Sequence, residues 1–68
     1  MRQVVIYPGE DGYWVAECHS LPGCISQGET REDAVKNIKE AITAYIEALE
    51  GDNLVIPEEH FDTLVMAV

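Results

Sequence analysis

A single stripe of apolar residues at helical spacing limits what this chain can fold into. Val35, Ile38, Ala41, Ile42, Tyr45, Ile46 and Leu49 recur three and four residues apart, the spacing that gathers side chains on one face of a helix. Lys36, Lys39, Glu40, Thr43, Glu47 and Glu50 fall mainly on the opposite side. Thr30 is placed to cap the helix, with Asp33 in the acid position of a capping box. Glu32 and Asp33 also suit the positive end of the helix dipole. Gly51 is expected to end the helix as the residue just past its C-terminus. No second helical pattern accompanies this one, so its apolar face has to be covered by β-structure.

Three strands precede the helix. Val4–Tyr7 is β-branched and aromatic and stops at Pro8-Gly9, which is strand-then-turn chemistry. Glu10-Asp11-Gly12 continues the turn, and Tyr13–Cys18 returns as the second strand of a hairpin. Leu21-Pro22-Gly23-Cys24 fits a type II turn, because proline presets φ at its second position and glycine accepts positive φ at its third. A short third strand, Cys24–Gln27, follows and stops at Gly28. Beyond the helix, Pro57 favours an extended backbone at the residue before it, and Thr63–Val68 reads as a last strand. The order is β-β-β-α-β: an α+β domain with a small sheet and one helix on one face. A right-handed crossover would set the last strand parallel to its sheet neighbour.

Composition narrows the functional class. The 68 residues form one domain, residues 1–68, in which folding buries only roughly 60% of the surface the unfolded chain exposes. At 47% hydrophobic and 25% charged the chain reads as globular rather than disordered. Four Lys and Arg against 13 Asp and Glu give a net charge of −9. A field of that sign repels phosphate backbones, so direct nucleic-acid binding is not expected, whereas a basic protein partner is favoured. No apolar run approaches the ~18 residues of a membrane span. No export signal opens the chain, so a cytoplasmic location is the default and Cys18 and Cys24 read as thiols.

Alternation along the second strand sorts its faces: Trp14, Ala16 and Cys18 point one way, and Tyr13, Val15 and Glu17 the other. Glu17 marks the face away from the helix, since an unpaired buried carboxylate is costly. Val5 and Tyr7 of the first strand are expected to join that face. One helix can cover one side of a sheet, so the second side is left bare and partly apolar, and such surfaces mark interfaces. Val5, Tyr7 and Val15 are therefore the expected contacts of a homo-oligomer, a dimer or tetramer.

Candidate chemistry is weak by comparison. Cys18, His19 and Cys24 lie close in sequence, but the spacing and the lack of a fourth ligand do not fit structural zinc; Cys18 reads better as a core thiol and His19 as a surface loop residue. A Cys18–His19 nucleophile pair fails because adjacent strand residues point to opposite faces. A two-metal nuclease needs converging acids, and none lies within the first strand; the carboxylates spread over turns, the bare face and Glu58, Glu59 and Asp62. The glycines sit in turns and head no phosphate-binding motif. The expectation is a binding module with no enzymatic activity, cofactor or metal.

The run Tyr7-Pro8-Gly9-Glu10-Asp11-Gly12-Tyr13-Trp14-Val15-Ala16-Glu17, then Leu21-Pro22-Gly23-Cys24, then Gly28-Glu29-Thr30 leading into Glu32-Asp33-Ala34 and Asn37–Ile42, resembles the HicB-like antitoxin family over about the first three-quarters of the chain. The resemblance implies a partial ribonuclease-H-like sheet without a working metal site. It further implies a type II toxin–antitoxin function, in which the antitoxin binds a small basic HicA-type toxin that cleaves mRNA and blocks its active-site histidine and RNA surface. A charge of −9 suits that task. Many members add a C-terminal DNA-binding domain; the absence of a second helical pattern and of a basic patch before Val68 implies none here, and so no operator binding. Glu10 and Asp11 in the hairpin turn, Glu17 on the bare face and Tyr13 as an aromatic anchor are the expected partner contacts. An orphan oligomeric domain without a toxin, and a divalent-metal nuclease, are the alternatives.

Overall fold

A computed structural model describes residues 1–59 and 64–68 of the chain. Strands β1 (Val5–Pro8), β2 (Trp14–Glu17) and β3 (Ile25–Gly28) form an antiparallel sheet in the order β1-β2-β3, followed by helix α1 (Arg31–Gly51). The register pairs Val5 with Glu17 and Tyr7 with Val15 across β1 and β2, and Val15 with Gln27 and Glu17 with Ile25 across β2 and β3. Between β2 and β3, the Cys24 N–H donates to the Leu21 carbonyl at 3.0 Å and Gly23 has φ of 79°, which makes Leu21–Cys24 the expected type II turn.

The core lies between α1 and one face of the sheet. Ala16, Cys18, Leu21, Cys24, Ala34 and Ile38 are buried, and Val4, Ile6, Trp14, Ala41, Ile42, Tyr45 and Ile46 pack around them. Ala16 and Cys18 face the helix, as the alternation of β2 requires. Both cysteines are free thiols, and burial, then the neighbouring Cys18, pushes the Cys24 thiol above its ordinary range. Of the apolar stripe, Ile38 is fully buried and the positions beyond it only half so. Geometry explains the gradient. Twenty-one helical residues run about 30 Å, whereas each four-residue strand runs about 13 Å. The C-terminal half of α1 therefore overhangs the sheet.

The helix is fixed at its N-terminal end. Thr30 caps it, accepting the Asp33 N–H at 3.0 Å. A Cβ added to Gly28 would lie 2.5 Å from the Ala34 nitrogen, so the missing side chain is what lets the first turn touch the end of β3. Arg31 stacks over the Trp14 ring, 5.4 Å from its centroid. The Asn37 amide donates to the Gln27 carbonyl at 2.8 Å, and the Tyr45 hydroxyl to the Pro22 carbonyl at 2.9 Å.

Two sequence expectations are corrected. Gly51 is the last helical residue rather than the residue past the end. The left-handed position is Asn53, with φ of 56°, and the N–H groups of Asn53 and Leu54 close on the carbonyls of Glu50 and Leu49. Asn tolerates this conformation because its side chain is short and polar, and the 5→2 and 6→1 bonds terminate the helix as a Schellman motif. The second correction concerns the last strand. Leu64–Val68 is not a strand and is exposed to solvent, while Thr63 lies outside the described residues. Alternating apolar residues favour a strand only when a neighbouring ladder and a covered face are available. The described elements thus form an α+β domain of three strands and one helix, and no helix among them is long and apolar enough to cross a membrane.

Two substitutions test this account. Gly51 has helical φ and open space around a built Cβ, so Gly51→Ala should stabilise the fold by about 1 kcal/mol in urea unfolding. Gly28→Ala should destabilise it by about 1–3 kcal/mol, since the backbone of α1 has to move.

Candidate protein-docking face

Among the described residues no helix or strand packs on the sheet face opposite α1, and the register fixes its composition. Val5, Tyr7, Val15, Glu17, Ile25 and Gln27 lie on it as cross-strand neighbours. Val5 and Val15 are half-buried by their neighbours, while Tyr7 and Ile25 are 39% and 57% exposed. The expected oligomer contacts Val5, Tyr7 and Val15 are thus brought together into one patch. Ile25 extends it and was not singled out from the sequence; its signal was the alternation of β3, which becomes readable only once the β2–β3 register is known.

The expected partner contacts divide into two groups. Glu10 and Asp11 are exposed in the β1–β2 connection, where Gly12 has φ of 79°, and Tyr13 follows them with its carbonyl accepting the Gly9 N–H at 2.7 Å. Glu17 lies at the far end of β2, about 10 Å from Trp14 at the strand spacing of ~3.3 Å per residue. The hairpin turn therefore lies at one end of the face, whereas Glu17 sits within it, between Val5 and Ile25.

Glu17 has two polar neighbours. His19 Nε2 lies 3.0 Å from its Oε2, and the Tyr7 phenol is close enough across the β1–β2 ladder to feel its charge. Desolvation, then the neighbouring Glu17 carboxylate, holds the Tyr7 phenol above its ordinary 10.0. Tyr7 stays neutral and a donor at physiological pH. Glu17, His19 and Ile25 border a shallow depression of about 220 Å3 against the Leu21–Cys24 turn. Cys18, beside His19, is turned into the core, the divergence expected of adjacent strand residues.

Charge is segregated around this surface. Of the four cationic side chains, Arg2 lies beside Glu59 at 3.8 Å, Arg31 covers Trp14, and Lys36 and Lys39 stand on the exposed side of α1. The open face and its hairpin turn carry Glu10, Asp11 and Glu17 and no Lys or Arg. Among the described residues no group of three or more His, Cys, Asp or Glu is arranged to hold a metal ion.

The described residues thus form an acidic α+β domain whose sheet faces α1 on one side only. Residues 3–67 match the family model described as HicB_like antitoxin of bacterial toxin-antitoxin system, and the chain belongs to the HicB-like antitoxin family. It is 46% identical to a UPF0150 protein of Thermoplasma acidophilum over 63 residues, 93% of this chain and 91% of the relative. A UPF0150 protein of Helicobacter pylori is 50% identical over 50 residues, 74% of this chain and 68% of the relative. One from Synechocystis is 49% identical over 49 residues, 72% of this chain and 62% of the relative.

The Tyr7–Glu17 contact gives a direct check. Glu17→Gln removes the charge but not the desolvation, so the Tyr7 pKa should fall toward 10.0 yet stay above it in a spectrophotometric titration. The sign for stability follows. The folded state binds this proton more tightly than the unfolded chain, so its contribution is complete below pH 10.0 and is lost as pH rises through the folded pKa. An unchanged titration in Glu17→Gln would remove the contact.

Proposed function

We propose that this chain is the antitoxin of a type II toxin–antitoxin pair and that it inhibits a small basic HicA-type, mRNA-cleaving toxin by direct contact through its open sheet face. It acts as a binding module in the cytoplasm, with no catalytic step of its own. The family supports an antitoxin role. The observation that carries the mode of action is the open face itself: Val5, Tyr7 and Val15 adjoin on it, Glu17 sits between Val5 and Ile25, and Glu10 and Asp11 are exposed at its hairpin end.

The physical logic is division of labour. Apolar residues at the centre of an interface supply affinity once water is excluded. Acidic residues at its rim steer a basic partner and raise the association rate. Glu10 and Asp11 sit at the exposed tip of the hairpin and meet the toxin first. Tyr13, 39% exposed, offers an aromatic anchor beside them. The carboxylates also occupy the place that RNA phosphates would take on the toxin, which prevents substrate binding without any contact to nucleic acid.

Self-association over Val5, Tyr7 and Val15 is the competing use of this face, in an orphan domain without a toxin. Co-expression with a HicA-type toxin distinguishes the two. The wild-type chain should co-purify with the toxin and restore growth. Val15→Lys, which places a cation at the patch centre, should abolish both. Glu10→Lys combined with Asp11→Lys should slow association and weaken its salt dependence. Wild-type chain that neither co-purifies nor protects overturns the proposal.

A further inference from the structure

The β2–β3 ladder continues one step past the end of its strands. Val15 faces Gln27 and Glu17 faces Ile25, so the next opposed residues are Cys18 and Cys24. The Cys18 N–H donates to the Cys24 carbonyl at 3.0 Å. Hydrogen-bonded partners in an antiparallel ladder stand about 5.5 Å apart at Cα, within the range of about 4.4–6.8 Å that a disulfide spans. Both side chains belong to the same buried cluster under α1. The Cys24 N–H turns away to the Leu21 carbonyl at 3.0 Å. One ladder bond rather than two therefore holds this pair, and the backbone can draw in as a disulfide requires.

The two thiols are not equivalent. Ser20 Oγ lies 3.5 Å from Cys18 Sγ and accepts a hydrogen bond from Arg2 Nη1 at 3.1 Å. An oxygen that accepts from a guanidinium keeps its own hydrogen to donate, and once Cys18 loses its proton only Ser20 can be the donor. A hydroxyl polarised in this way stabilises the thiolate, which is the nucleophilic form. The same guanidinium faces Glu59 at 3.8 Å, so it acts on Ser20 as an oriented donor rather than as a free charge. Burial, then Cys18, instead pushes the Cys24 thiol up, which keeps it protonated while Cys18 reacts.

We propose that Cys18 and Cys24 form a reversible disulfide within one chain on exposure to hydrogen peroxide, with Cys18 as the attacking thiol and Cys24 as the resolving one. The Cys18 thiolate attacks a peroxide oxygen; an S–O bond forms, the O–O bond breaks, and the released hydroxide takes the proton that Cys18 gave up and leaves as water. Cys18 is then a sulfenic acid. The Cys24 sulfur attacks the Cys18 sulfur, the S–S bond forms, and the hydroxyl leaves with the Cys24 proton as a second water. The two thiols have lost two electrons to peroxide, and a dithiol reductant reverses the bond by exchange. At 2% and 5% exposure the pair admits a small oxidant and excludes one as bulky as glutathione disulfide. Its resting form is the dithiol, as for redox-sensing pairs in reducing compartments. The inference does not rest on the antitoxin reading, and either can fail alone.

Intact-mass spectrometry on the folded full chain, before and after hydrogen peroxide, tests it. The wild type should lose two hydrogens while remaining one chain, both cysteines should become inert to alkylation together, and dithiothreitol should reverse both changes. Glutathione disulfide should leave the mass unchanged. Cys24→Ser should hold Cys18 as a sulfenic acid that dimedone traps, and Cys18→Ser should trap far less at Cys24. Ser20→Ala should slow bridging roughly tenfold with the helical circular dichroism unchanged, and Ser20→Thr should restore the rate. If a cysteine variant does not fold, the wild-type mass and the Ser20 variants still decide. Thiols that stay unreacted in the folded chain, oxygen added without a bridge, a bridge only between chains, or one that forms only in urea overturns the proposal. Equal trapping at the two cysteines, or an unchanged rate in Ser20→Ala, overturns the assignment of Cys18 as the attacking thiol.

Discussion

Helix α1 reaches the sheet because Gly28 has no side chain. A Cβ there would collide with the backbone of Asp33 and Ala34, and the first turn of the helix would be held off β3. With the approach permitted, Ala34 and Ile38 come down against Ala16, and Thr30, Arg31 and Asn37 find their partners at the strand ends. Tyr45 then ties the middle of the helix to the Leu21–Cys24 turn through the Pro22 carbonyl. The core is small, with Leu21, Ile38 and Cys18 its largest fully buried side chains. One close backbone contact thus places most of the packing that holds the fold together.

Anchoring a long helix at one end of short strands has two consequences. The helix covers one face of the sheet and leaves the other open, and it also extends past the strands that cover it. The first leaves Val5, Tyr7, Val15 and Ile25 on a surface bordered by acids. The second leaves Ile42 and Ile46 half-covered beside the segment that leads into β1. A domain of this size can bury only part of its apolar surface alone, and these are the surfaces it leaves in water.

Much of this was legible in the sequence, and where it was not the cause is physical. The stripe from Val35 to Leu49, the Thr30 cap, the Pro22-Gly23 turn and the alternation of β2 are local signals, and each element formed within a residue of its expected bounds. The helix terminus was misread because Gly51 and Asn53 can both serve there, and the backbone used the Asn while keeping the Gly helical. Gly28 looked like a strand stop; its role in admitting the helix depends on a residue six positions away coming to within van der Waals distance. That Tyr7 and Glu17 lie near each other was not legible, because only the β1–β2 register brings them together. The apolar tail read as a strand because its composition suits one, but a strand also needs an edge to pair with, and that is not a property of the segment.

The sequence by itself determined the α+β class, the placement of one amphipathic helix after three short strands and the acidic charge. These follow from periodicity, turn chemistry and composition, which act over a few residues or over the whole chain without regard to register; the family membership rests instead on likeness to known sequences. Only the tertiary structure decided which residues share the open face, that Tyr7 and Glu17 meet across it, and that the end of α1 projects beyond the sheet. Those depend on strand pairing and on the relative lengths of helix and strands once packed, and no local pattern encodes either.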